Sequence, residues 1–147
     1  MTPHAHSKSL RTGRHSQAGQ IYLLTTVTRE RQPLLAPLEV ARCVIQCLRQ
    51  AQNLKKADTL AFVVMPDHLH WLMQLGEGVE LSRCMGSIKS ITSRQLGQAV
   101  WQDGFHDHAV RREEDLPAMA RYVVANPVRA GLVKRMGEYP HWDAIWL

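Results

Sequence analysis

The chain has 147 residues, 45% of them apolar, and a formal charge of +5; that length suits one domain able to bury roughly two-thirds of its surface. No run of about 20 apolar residues is present to span a bilayer. The N-terminal MTPHAHSKSLRTGRHSQAG lacks the apolar centre of a secretory signal, so a cytoplasmic location is expected. The basic balance favours a polyanionic partner. Cys43, Cys47 and Cys84 form no CxxC pair and are an odd number for a disulfide framework, so all three are expected to be inert.

Residues 1–18, with Lys8, Arg11, Arg14 and His15, read as a flexible basic arm, and 19–147 as a single domain. IYLLTTVT (21–28) is rich in β-branched and aromatic residues and predicts a first strand. After Pro33 and Pro37, residues 38–54 place Leu38, Ala41, Ile45 and Leu48 on one helical stripe, with Val44, Cys47, Ala51 and Leu54 beside it. TLAFVVM (59–65) is a continuous apolar run expected as an interior strand, and Pro66-Asp67 is a turn. HLHWLMQL (68–75) alternates. It puts Leu69, Trp71, Met73 and Leu75 on a core face and His68, His70 and Gln74 on the other.

Residues 80–99 predict a second helix on which Arg83, Lys89 and Arg94 recur. FHDHAVR (105–111) is a fourth strand candidate, followed by a third helix over about 115–125 that Pro127 should end. The order β-α-β-β-α-β-α fits an α+β, ferredoxin-like antiparallel sheet with helices.

His68 and His70 project the same way from one strand and are able to share a metal ion, which would need a further ligand and open positions for substrate. From spacing alone the plainer reading is a pair of satisfied histidines on an exposed sheet face. His106 and His108 repeat the spacing around Asp107, where a surface or substrate-facing role is preferred. Tyr122 and Asn126 lie four apart at the border of the apolar stripe formed by Leu116, Met119, Ala120, Val123 and Val124. On spacing alone they are a boundary tyrosine and a helix-end residue. No GxSxG, P-loop or HExxH competes.

Taken together, three segments carry a resemblance. MPDHLHW looks like the His-hydrophobic-His signature of the HUH single-strand endonucleases. RYVVANPVRAGLV closely resembles the catalytic helix of the REP-associated tyrosine transposases, in the single-tyrosine transposase superfamily. AGQIYLLTTVTRERQPLL and WQDGFHDHAVRREEDL match that family's first strand and its strand with acidic turn. The similarity covers residues 13–142, with Asp67 where many relatives carry Asn and an ending, HWDAIWL, that departs from the family's Trp-x-Ser-Ser.

The resemblance implies an HUH endonuclease fold with its catalytic helix near the C-terminus. Tyr122 would be the nucleophile, His68, His70 and Asn126 the ligands of a divalent ion (Mg2+ or Mn2+), and the substrate single-stranded DNA with REP-like hairpins. The enzyme would act as a monomer or homodimer. Arg11, Arg14, Arg83, Lys89, Arg94, His108 and Arg129 are candidate DNA contacts; Tyr22, Trp101 and Phe105 could offer stacking surfaces, although each taken singly reads as core rather than platform. A silent hairpin-binding regulator and a paired-histidine phosphohydrolase are the competing classes.

Overall fold

The computed structural model describes residues 19–146. The basic arm, including Arg11 and Arg14, and the terminal Leu147 lie outside the described residues. Strand β1 (Ile21–Val27) leads through a short 3-10 turn, Arg29–Arg31, to helix α1 (Leu38–Asn53). Strands β2 (Ala57–Met65) and β3 (His68–Leu75) form a hairpin, followed by helix α2 (Leu81–Leu96) and strand β4 (His106–Ala109). Helices α3 (Leu116–Val124) and α4 (Asn126–Arg129) and a last strand, β5 (Trp142–Ala144), complete the chain. The five strands form one sheet in the order β4-β1-β3-β2-β5, every pairing antiparallel.

The alternation of β3 decides how the layers stack. Leu69, Trp71, Met73 and Leu75 are all at most 2% exposed, and they join the larger core beneath α1 and α2. Trp71 sits there at no cost to its indole N–H, which donates to Thr59 Oγ1 at 2.9 Å. Helix α1 contributes Val44, Cys47, Leu48 and Ala51, and α2 contributes Leu81, Cys84, Met85 and Ile88. Gly97 ends α2 in the left-handed conformation, φ 70°, which glycine adopts without a Cβ clash.

The opposite face is also covered. Ala61, Val63, Met65 and Leu72 pack against Ala120, Val123 and Val124 of α3 and Ala144 of β5. The expectation of an exposed histidine face is therefore corrected: the apolar Leu72 between polar neighbours marks a second, smaller core. Tyr22, Trp101 and Phe105 are members of the larger core, each at most 8% exposed, so the reading of each as core holds and that of a stacking surface does not.

Two further differences are local. Helix α3 ends at Val124, as expected ahead of Pro127, but a new helix then starts, with Pro127 in the first turn of α4, where its missing N–H leaves no bond unmade. Strand β5 was not expected from HWDAIWL; it pairs Ala144, Asp143 and Trp142 with Ala61, Phe62 and Val63. Tyr139 hydroxyl donates to Val64 O at 2.6 Å and Trp142 Nε1–H to Met136 O at 2.9 Å, fastening the tail along the β2 edge.

Candidate metal centre and nucleophile

Strand periodicity aligns His68 and His70 toward α3, with ring centroids 4.7 Å apart in an edge-on arrangement. Each ring is fixed through Nδ1. His68 Nδ1–H donates to Asp67 Oδ1 at 2.7 Å, which assigns the tautomer and leaves the lone pair on Nε2. His70 Nδ1 lies 2.8 Å from Thr25 Oγ1, its neighbour across the β1–β3 ladder. If Nδ1 donates to that hydroxyl, Nε2 of His70 is likewise free to ligate.

Burial favours the neutral rings that ligation requires. It pushes the His70 pKa down to about 4, helped by the charges of His68, Arg129 and Arg31. Burial also lowers His68, although the bond to Asp67 and its charge oppose the shift. Asp67 is raised by its own burial, but the His68 bond, the His68 charge and Arg31 outweigh this and hold it below its ordinary value.

The third element is the break between α3 and α4. Asp115 caps α3, its Oδ1 accepting from Ala118 N–H at 3.1 Å, and Val123 and Val124 anchor the helix on the sheet. Asn126 then projects to the histidines, its Nδ2 lying 3.3 Å from His68 Nε2. Tyr122, one turn earlier, is 61% exposed on the helix edge. The Arg129 guanidinium lies over its ring, Cζ 3.8 Å from the centroid, and Nη1 donates to Tyr122 O at 2.7 Å.

Among the described residues no group of three or more His, Cys, Asp or Glu is placed to hold a metal ion. A metal at this site would therefore use two imidazoles and a neutral amide, with the Asn126 side chain turned so that Oδ1 faces the ion. That set fits a divalent ion with open coordination positions. The carboxylate behind His68 and the hydroxyl behind His70 are the outer hydrogen bonds that orient ligating histidines.

The family profile described as Transposase IS200 like matches residues 16–126. The chain belongs to that family. A REP-associated tyrosine transposase of Escherichia coli (strain K12) is 34% identical to this IS200-like chain over 82 residues, covering 54% of it and 50% of the relative. The chain thus spans about half the length of the curated relatives it matches. A solved REP-associated tyrosine transposase bound to a REP hairpin superposes with a TM-score of 0.76 at 26% identity, covering 88% of this chain and 79% of that one. A crystal structure from Deinococcus radiodurans r1, at 21% identity and a TM-score of 0.55 over 78% of this chain and 95% of that one, shares the fold.

The structure of the IS200-like chain brings His68, His70 and Asn126 together and sets Tyr122 and Arg129 side by side. The other candidates fall elsewhere. Arg83, Lys89 and Arg94 are on α2, in the layer across the sheet from the histidines. Arg83 pairs with Glu80 at 3.4 Å, Lys89 Nζ donates to Gln102 O at 2.9 Å and Gly104 O at 2.5 Å, and Arg94 approaches Ser90 Oγ at 3.4 Å.

His106 and His108 pair with Thr25 and Leu23, on the histidine side of the sheet. His108 Nε2 lies 3.0 Å from both Glu114 carboxylate oxygens. The Arg111 N–H and the His108 ring hold that carboxyl below its ordinary value. This clip joins β4 to the segment that leads into α3.

Sequence reasoning missed Thr25 and Arg31. Thr25 was hidden among the strand's other threonines; only the ladder register brings it to His70. Arg31 follows Glu30, and both take left-handed backbone, φ 54° and 56°, a conformation costing on the order of 1–3 kcal/mol at a non-glycine residue. The only signal was an arginine in the short TRERQPLL segment between a strand and a helix.

Proposed function

We propose that the chain is a divalent-metal-dependent single-stranded DNA endonuclease and strand transferase, acting at REP-type hairpins through a 5′-phosphotyrosine intermediate. The observation that carries this reading is the meeting of the β3 histidine pair with Asn126, one turn beyond an exposed Tyr122. The relative solved with a REP hairpin supports the choice of substrate.

His68, His70 and Asn126 would hold the ion, which when bound would polarise a non-bridging oxygen of the scissile phosphate. The chain's own groups do the rest. Tyr122 Oη attacks phosphorus in line, forming the Oη–P bond as the P–O3′ bond breaks. The phenolic proton is lost to solvent and the departing 3′ oxygen gains one. Arg129, stacked on the ring, keeps the phenol from swinging freely. Because one phosphodiester is exchanged for another phosphate ester, attack by a second 3′ hydroxyl reverses the step without a nucleotide cofactor. The reaction takes place in a monomer or a homodimer.

The test is a denaturation-resistant adduct between the protein and a labelled single-stranded REP hairpin carrying its 5′ flank, formed in Mg2+ or Mn2+. Wild type should form it and Tyr122→Phe should not. Binding without any adduct would favour the regulator, and multiple-turnover cutting without trapping would favour a hydrolase.

A further inference from the structure

The turn after β1 is built around one side chain with no part in the site just described. Thr28 hydroxyl donates to Gln32 O at 2.6 Å and lies 3.2 Å from Asp67 O, and Arg31 N–H donates to Thr28 O at 3.0 Å. These bonds hold Glu30 and Arg31 in their left-handed conformations, which persist only where surrounding structure enforces them. The outcome is that Arg31 Nε donates to Asp67 Oδ2 at 3.1 Å. The other oxygen of the same carboxylate accepts from His68. The Arg31 side chain is still 57% exposed, and among the described residues neither Nη has a hydrogen-bond partner. Its charge acts on both histidines.

An arginine held by one nitrogen, with two more donors open to solvent beside a metal site, has the fork geometry that takes phosphate oxygens. Asp67 bonds Nδ1 of the His68 ring, and the ligating position is the other ring nitrogen, Nε2. Arg31 is therefore set back from the metal-ligating edge of His68 by the ring and the Asp67 carboxylate, beside the scissile phosphate rather than on it.

We propose that Arg31 binds a backbone phosphate of the single-stranded flank near the scissile one, so that the Arg31–Asp67–His68 chain sets the register of that flank against the metal site. The assignment rests on the nuclease reading above for the identity of the polyanion, a single DNA strand.

The experiment measures binding in EDTA, apart from catalysis. Two labelled probes are compared, a REP hairpin with its 5′ single-stranded flank and the same hairpin without it. Arg31→Ala should weaken the flanked probe about tenfold and reduce its salt slope by about 0.7, the loss of one single-strand phosphate contact. The unflanked probe should bind as to wild type. Arg31→Lys should keep the salt slope while losing part of the affinity. Manganese affinity of Arg31→Ala, read by electron paramagnetic resonance, should fall by less than the roughly 10–100-fold expected on removing the outer partner Asp67 itself.

The proposal is overturned if Arg31→Ala binds the flanked probe normally, or weakens both probes equally, or loses manganese as well. It is also overturned if wild type does not distinguish the two probes. Failure of the tyrosine adduct alone would sink strand transfer and leave the phosphate contact standing.

Discussion

His70 shows how one buried side chain links folding to chemistry. Its pKa falls from the ordinary 6.5 to about 4 because burial disfavours the imidazolium. Between those values the unfolded chain binds a proton that the native chain does not, so stability rises with pH across this window and is lost as pH falls through it. For the metal-free protein this is worth about 2 kcal/mol between pH 7.5 and pH 5. In denaturant titrations at the two pH values, wild type should lose at least that amount and His70→Gln about 2 kcal/mol less. An equal loss in both would mean that His70 is not buried as described. The histidine pair was readable because strand alternation is local. Its supports were not, since Thr25 reaches His70 only through the pairing of strands 45 residues apart, and Asp67 reaches His68 only through the shape of the β2–β3 turn. The same limit hid Arg31, whose role depends on two left-handed residues that nothing in TRERQPLL announces.

At the level of elements, the tyrosine helix is short and depends on its ends. Asp115 satisfies the Ala118 N–H, and losing such a cap costs about 1 kcal/mol. Asp115→Ala should therefore lower stability by about that much in chemical denaturation, whereas Asp115→Ser, which can still cap, should lose only a few tenths. A full loss in the serine variant would point to a role for Asp115 other than capping. A second element-level test concerns Gly76, at the end of β3. A Cβ there would come to 2.2 Å from Lys55 O, closer than backbone can yield cheaply, so Gly76→Ala should cost about 1–3 kcal/mol. Unchanged stability would show that the 55–56 turn can withdraw. Helical spacing was enough to find α1, α2 and α3 to within a few residues. It did not reveal that a second short helix starts at Asn126, because Pro127 is compatible with both an ending and a new first turn. The break between α3 and α4 is what aims Asn126 at His68.

Across the whole molecule, the site joins parts of the chain that have no other reason to be linked so tightly. His68 and His70 belong to the sheet, Asn126 to the helical layer laid over it, and an ion held by all three would tie the layers together. The sequence showed an alternating strand and apolar stripes on the helices. It did not show that both faces of the sheet are cores, because β5, the tail strand that helps close the second core, is only three residues long and interrupted by Asp143. A ligand that binds only the folded state stabilises it by mass action, about 2.7 kcal/mol at a hundredfold excess over Kd. For a domain of this size that is about 5–10 °C in Tm. Saturating Mn2+ should therefore raise the Tm of wild type by about 5–10 °C over the protein in EDTA. His68→Ala should abolish the increment, and Asn126→Ala, which keeps both imidazoles but unties the helix, should retain a fraction of it. Hydrogen exchange should separate the two variants further. Metal-dependent protection of residues 122–130 would disappear in Asn126→Ala even where some Tm increment survives, because the ion would then be held by the sheet alone. No metal-dependent Tm shift in wild type, or an unchanged shift in His68→Ala, would remove the histidine pair as the metal site.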